Sequence, residues 1–356
     1  MMKHGVVRAV VAFAVVLSAL AMGTPARADD EPSDPLRVML VGDSITHSNS
    51  GMYSWRYRLW QEFRRQQVPV DFVGPFRHVY DGAGEVSGHY LDPAFDRDHA
   101  AWNGAFVNRP ESDHATRISQ QARIAGWLRV YEPDVLVVHL GRNDLKAGDS
   151  ADKVAAETKR YVETVHEVAP ATRIILNDVL KRLGMTGDRT GVRLNALNRA
   201  QFADDPLVTF ARTQSGAGLA FDPARHTVDG THPNATGETL IAHRVAQAFH
   251  RIGVLPEQPM VYRVVRWNPR ARINVRALGH QIRVAWDPTR FRYNAQLVLR
   301  MPNGATKVWG TFNGRRRHTS TTPGLRNGTY QVWLVPFKGR LSRGVRTPVV
   351  KVRLGG

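Results

Sequence analysis

The chain has 356 residues, 42% of them apolar and 22% charged, a globular balance over a length greater than one compact core holds. It contains no cysteine, so disulfides, thiolate-ligated zinc and a thiol nucleophile are excluded together. The formal net charge of +18 sits in one place: residues 257–356 hold 20 Lys and Arg against only Glu257 and Asp287, which leaves 29 of the 49 basic and 29 of the 31 acidic residues before position 257.

Near the N-terminus, Lys3 and Arg8 accompany an apolar run over 9–22, and Ala26-Arg27-Ala28 offers small residues at both positions a signal peptidase inspects. The run, about fourteen residues, is short of the roughly twenty a membrane-spanning helix needs. The pattern predicts an export signal over 1–28, cleaved before Asp29, and a secreted, extracellular mature chain with no transmembrane segment. From residue 35 onward, short apolar runs alternate with amphipathic ones. Strands are predicted over 37–41, 70–73, 135–139, 173–176 and 207–211, and helices over 53–65, 118–130, 154–168, 194–202 and 236–249. This alternation predicts an α/β domain over 35–254 with a parallel sheet covered on both faces. Ligands of such sheets bind beyond the carboxyl ends of the strands. The proline-bearing segment 255–259 reads as a linker. After it, alternating segments at 282–286, 296–300, 306–309 and 330–335 are separated by Asp287-Pro288, Pro302-Asn303-Gly304, Asn313-Gly314 and Asn327-Gly328. They predict a small all-β sandwich over 260–356.

The residues able to do chemistry lie at strand ends. Gly42-Asp43-Ser44-Ile45 follows the first strand, where a serine on a strand-to-helix turn has its hydroxyl free of the sheet and its own N–H able to face a developing oxyanion. The same tetrapeptide is also good turn and helix-cap composition. Asp229-Gly230-Thr231-His232-Pro233 precedes the last helix. An acid three residues ahead of a histidine on a tight turn can hold one imidazole nitrogen and leave the other to act as general base. The competing reading is a capped turn with an incidental histidine. His226, His139 and His47 are rival bases, but none has an acid so economically placed. Gly141-Arg142-Asn143-Asp144 follows the third strand, and the Asn143 carboxamide is a neutral donor suited to an oxyanion. Gly82-Ala83-Gly84 does not join a strand to a helix and is no dinucleotide loop, and the histidines form no closed ligand set in sequence, so no metal is expected.

Taken in order, these blocks resemble the SGNH (GDSL-type) hydrolase family over 37–250. Val70-Asp71-Phe72-Val73-Gly74 after a tryptophan-bearing helix is similar, within it, to the acetylxylan-esterase-like carbohydrate esterases. The resemblance implies a flavodoxin-like three-layer fold and a serine ester hydrolase that requires no cofactor. It implies Ser44, His232 and Asp229 as the catalytic triad, and an oxyanion hole from Ser44, Asn143 and a glycine. Gly104 in His99-Ala100-Ala101-Trp102-Asn103-Gly104 matches best, and Gly82, Gly84 and Gly88 are alternatives in the same insertion. Two departures fall on the substrate side: Arg142 replaces a small residue, and His99-Ala100-Ala101 stands where His-Glu-Gly is frequent. Arg142 and Asp43 are therefore candidate substrate contacts. Arg142 either reaches an acidic group of the substrate or pairs internally with Asp144 or Asp178.

In the basic part, Trp286, and Leu325 five residues before Tyr330, resemble a fibronectin type III domain. Arg315-Arg316-Arg317 beside His318, and Arg340, Arg343 and Arg346, cluster in predicted loops. The expected partners are an ester, on acylated polysaccharide or on lipid, and an anionic extracellular polymer or cell-wall surface held by the basic domain. Nucleic acid is not expected outside the cell. The competing function is a polyanion-binding surface protein whose hydrolase fold does not turn over.

Overall fold

The computed structural model describes residues 34–48, 53–80, 86–87, 90, 92–109, 118–182, 189–215, 220–260, 268, 272–286, 294–313, 319–338 and 342–355. The expectations placed on 1–28, on Gly82, Gly84 and Gly88, and on Arg315, Arg316, Arg317, His318 and Arg340 lie outside these residues. Among the described residues, no helix is long and apolar enough to cross a membrane.

In chain order the first part runs β1 (Leu36–Gly42), α1 (Ser44–His47), α2 (Trp55–Arg65), β2 (Val70–Val73), β3 (Val79–Tyr80), β4 (Val86–Ser87), β5 (Ala100–Ala101) and α3 (Gln120–Tyr131). It continues through β6 (Val135–His139), α4 (Arg142–Lys146), α5 (Ala151–Val168), β7 (Arg173–Asn177), α6 (Arg189–Gln201), β8 (Val208–Ala211), α7 (Pro223–His226) and α8 (Ala235–Arg251). The five predicted strands form one parallel sheet in the order β2-β1-β6-β7-β8, with β5 extending it beside the end of β1. Along each strand successive side chains face opposite ways. Val38 and Leu40 of β1 and Val135 and Val137 of β6 meet Leu59, Phe63, Leu240 and Phe249 of α2 and α8. Met39 and Val41, with Leu136 and Val138, meet Ile124, Val154, Val162 and Leu194 of α3, α5 and α6 on the other face. Helices therefore cover both faces, giving the three-layer fold. Strand order reverses between β1 and β6, so the crevice at their carboxyl ends is where this topology binds ligands.

The second part comprises β9 (Ile273–Leu278), β10 (Gln281–Trp286), β11 (Asn294–Arg300), β12 (Thr306–Asn313), β13 (Thr319–Thr321), β14 (Gly328–Lys338), β15 (Ser342–Arg343) and β16 (Val350–Leu354). All pairs are antiparallel, in one sheet ordered β13-β10-β9 and another ordered β12-β11-β14-β15 with β16 on β14. Ile282, Val284, Trp286, Leu297, Leu299, Tyr330, Val332 and Leu334 fill the core of this part. The joining segment is docked rather than free: Leu255 is fully buried against α2 and α8, and Glu257 meets Arg65 Nη1 at 2.8 Å.

Candidate active site

β1 stays buried to its end, and Asp43 then turns the chain into α1. Asp43 Oδ1 accepts a hydrogen bond from the Ile45 N–H at 2.9 Å, capping the helix and making Ser44 its first residue. Only glycine fits before it, because a Cβ on Gly42 would lie 2.2 Å from Thr46 Oγ1 and 3.1 Å from the His139 carbonyl oxygen. Burial pushes the Asp43 carboxyl up to about 6, which the Ile45 N–H and the charges of His232 and Arg142 offset only in part.

His232 reaches Ser44 from the loop ahead of α8. An isolated bridge pairs Thr227 with Pro233, the Val228 N–H donates to the His232 carbonyl at 2.9 Å, and the Gly230 N–H donates to Thr227 Oγ1 at 2.7 Å. The turn between them needs φ +92° at Gly230, a conformation glycine adopts freely. Inside this loop Asp229 Oδ1 accepts from the N–H groups of Thr231 and His232 at 2.9 and 2.8 Å, while Oδ2 lies 2.7 Å from His232 Nδ1. The other ring nitrogen, Nε2, lies 3.0 Å from Ser44 Oγ. A carboxylate only accepts, so Nδ1 carries the hydrogen and Nε2 presents its lone pair to the serine hydroxyl. Burial raises the Asp229 carboxyl, but the hydrogen bond and charge of His232 and the two N–H groups hold it well below the usual carboxylate range.

Asn143 enters from β6. Gly141, at φ +101°, starts α4, and the Asn143 carboxamide donates from Nδ2 to the Ala105 carbonyl at 2.9 Å and lies 3.4 Å from Asp43 Oδ2. It thus links the ends of β1 and β6 to the turn that carries Gly104, whose φ is +80°. Neither the Ser44 N–H nor the Gly104 N–H has an acceptor among the described residues. Ser44, Gly104, Asn143, Asp229 and His232 line one cleft of about 610 Å³, together with Asp43, Ile45, Asn103, Phe106, Arg142, Lys146, Ala147, Arg182 and Thr231.

The rival bases stand apart from this cleft. His139 is buried and pushed down to about 4 by burial and by Arg142, and His226 Nδ1 accepts from the Asp222 N–H at 2.9 Å. Arg142 lines the cleft but is itself buried. Of its two predicted partners, Asp178 is ion-paired with Arg199 at 2.5 Å and holds Ser215, and Asp144 accepts the Val107 N–H at 3.1 Å.

A family model described as the GDSL-like Lipase/Acylhydrolase family matches residues 40–240, more than half of the chain. The chain belongs to this family. A multidomain esterase of Ruminococcus flavefaciens is 25% identical over 217 residues, which make up 57% of this chain and 27% of that protein, so the match spans about a quarter of the relative. Among solved structures, a carbohydrate esterase family 3 protein from Talaromyces cellulolyticus is 23% identical, covering 61% of this chain and 97% of that one with a TM-score of 0.48. A family 3 carbohydrate esterase from Clostridium thermocellum is 21% identical, covering 61% and 96% with a TM-score of 0.48.

In this member of the GDSL-like family, three histidines brace the turn that bears Gly104, a role the sequence did not disclose. His47, the last residue of α1, accepts at Nδ1 from the Asn103 N–H at 3.1 Å, and its Nε2 lies 3.0 Å from His78 Nδ1. His99 donates from Nε2 to the His78 carbonyl at 2.7 Å and accepts at Nδ1 from the Ala101 N–H at 3.1 Å. Burial, with the neighbouring His78 and Arg56, pushes His47 down to about 3, and burial with Arg56 and His47 lowers His99 well below its ordinary value. Both rings are therefore neutral at ordinary pH. Their ligand atoms and those of His78 fall within 4.8 Å of one another, close enough to surround a metal. However, both nitrogens of His99 and Nδ1 of His47 already serve backbone groups, so a cation there would undo the bonds to Ala101 or Asn103. Among the described residues, this donor set fits a brace and not a metal site. The residues come from separate segments of the chain, and no spacing in the sequence signals their meeting.

Proposed function

We propose that this family member is a secreted serine ester hydrolase that removes a short acyl group, such as acetyl, from a carbohydrate. The observation that carries the reading is the continuous line from Asp229 Oδ2 through the His232 ring to Ser44 Oγ, with steps of 2.7 and 3.0 Å. Ser44 Oγ adds to the ester carbonyl carbon as its proton passes to His232 Nε2, and Asp229 steadies the resulting imidazolium. The N–H groups of Ser44 and Gly104 and the Asn143 carboxamide receive the oxyanion. His232 returns the proton to the departing alcohol oxygen as the C–O bond breaks, leaving acyl-Ser44. A water then repeats the sequence and releases the carboxylic acid.

The lining favours a polar substrate over a long acyl chain, since among the described residues only Ile45, Phe106 and Ala147 are apolar side chains along the cleft. We assign the basic part to holding the enzyme on an anionic extracellular polymer. Its exposed Arg272, Arg276, Arg283, Arg300, Arg326, Arg343, Arg346, Lys351 and Arg353 support this. A fibronectin type III-like sandwich is supported by two facing antiparallel sheets and by Tyr330, whose hydroxyl donates to the Arg326 carbonyl at 2.8 Å, the corner seen in such sandwiches. The test is hydrolysis of 4-nitrophenyl acetate and acetylated xylo-oligosaccharides by the chain lacking residues 1–28. Ser44→Ala should abolish turnover without lowering the melting temperature. Near-parental turnover in that variant would sink the mechanism, and retention on a polyanion with no ester hydrolysed by the parent chain would favour the non-enzymatic reading.

A further inference from the structure

The charges along the cleft are not balanced. Elsewhere in the α/β part several cations meet an acid: Arg65 meets Glu62, Arg109 and Lys153 share Asp149, Arg160 meets Glu157, Arg193 meets Asp152 and Arg199 meets Asp178. Among the described residues along the cleft, Lys146, Arg182 and the buried Arg142 stand with two acids, Asp43 and Asp229. Both acids are committed, Asp229 to His232 and Asp43 to the cap of α1. Lys146 is the last residue of α4, one turn beyond Arg142, and is exposed. Arg182 follows β7 and is half-buried. Among the described residues, neither Lys146 nor Arg182 has a hydrogen-bond or ion-pair partner. Asp149, three residues beyond Lys146 in the chain, is already taken by Arg109 at 2.8 Å and Lys153 at 2.8 Å.

Two unpartnered cations on the rim of a catalytic cleft raise the local concentration of anions and repel cations. They also offer a charge-assisted contact only to a substrate that brings the anion itself. A planar guanidinium matches a carboxylate in two-point geometry, and a lysine adds a mobile point charge beside it. We propose that Lys146 and Arg182 form a carboxylate subsite, so that the ester this cleft selects is carried on a uronic-acid-containing glycan. The proposal rests on the esterase reading above and names the substrate class of the same cleft. The basic β part, +18 in total, meets an acidic polymer on the same terms.

The experiment has two arms, so that the two readings fail separately. In the first, kcat/KM is measured on acetylated oligogalacturonides and on acetylated xylo-oligosaccharides of equal length. The parent chain should favour the acidic substrate by about 10- to 50-fold, the range of one or two hydrogen bonds to charged groups. In Lys146→Gln/Arg182→Gln that ratio should fall towards one, and in the parent it should shrink as salt is raised. In the second arm, binding of unacetylated oligogalacturonide is measured by calorimetry on both proteins. The β part is identical in the two, so the difference reports the cleft alone, whether or not the protein turns over. A thermal melt checks that the double variant is folded. An equal ratio on the two substrates, an unaltered ratio in the variant, or a preference for an acetylated polyol phosphate over the uronide overturns the carboxylate subsite. Weaker oligogalacturonide binding in the variant with no ester turnover by the parent chain supports the subsite and overturns the esterase reading.

Discussion

The α/β part and the β part treat charge in opposite ways. In the first, Asp43, His47, Arg56, His99, His139, Arg142, Asp144, Asp178 and Glu238 are all buried, although the part is neutral in sum. In the second, the buried polar side chains among the described residues are Ser320, Thr322 and Thr347, none of them charged, although the part carries the whole net charge. Burying an ionisable group is costly unless hydrogen bonds or opposite charges meet it. Where that cost is borne, around the ends of β1 and β6, the groups hold one another in reacting geometry. Where the described charges are all at the surface, the residues shape a long-range field and leave the fold to apolar packing.

This contrast can be tested from its strongest consequence downward. His232→Ala should lower kcat by about 10⁴–10⁶-fold on 4-nitrophenyl acetate, because among the described residues no other histidine lines the cleft. Asp229→Asn should cost less than that, since the base remains and only its orientation and charge partner are disturbed. An indispensable Asp229 beside a dispensable His232 would mean that the line of proton transfer is misassigned. Asn143→Ala should follow with a loss of about 10²–10³ in kcat and little change in KM, the range of one oxyanion donor. A loss confined to KM would instead make Asn143 a ground-state contact.

Asp43 separates stability from chemistry. Its carboxyl is pushed from 3.8 up to about 6 in the folded chain, so between those values the folded state binds more protons than the unfolded one. Stability therefore falls as pH rises through that window, and the full penalty is present above pH 6. Asp43→Asn keeps the helix cap and removes the ionisation. It should be more stable than the parent at pH 8, by up to about 3 kcal/mol, and no more stable near pH 4. Melts at the two pH values decide it, and an advantage that does not change with pH would show that the charge is not the cause.

The smallest expected effect lies in the β part. Arg276 and Arg283 are exposed and directly opposite across β9 and β10, an arrangement of like charges that disfavours pairing. Arg276→Thr should leave stability within about 0.5 kcal/mol of the parent or raise it slightly. The same change should release the protein from immobilised polygalacturonate at lower salt. Retention at an unaltered salt concentration would mean that this field is not what holds the polymer.

How much was legible beforehand depended on the range over which each feature is determined. The five strands of the parallel sheet and the five longest helices are local patterns of apolar residues, so they stand in the sequence, as does the break in charge at position 257. The helices α1 and α4, of four and five residues, are too short to show a period, although they carry Ser44 and Asn143. β9, β13 and β16 were likewise unmarked, because short or half-exposed strands lack a clean alternation. Within the site, Asp229 and His232 could be paired from their spacing alone, since a tight turn fixes an acid against a histidine three residues on. Tertiary structure alone decided that His232 Nε2 faces Ser44 Oγ across 188 positions of chain. It also decided that Asp178 pairs with Arg199, that His47 and His99 brace the Gly104 turn, and that Lys146 and Arg182 share one cleft. Such meetings depend on which strand ends the sheet order sets side by side, and that order is set by packing on both faces of the sheet, not by any stretch of sequence taken singly.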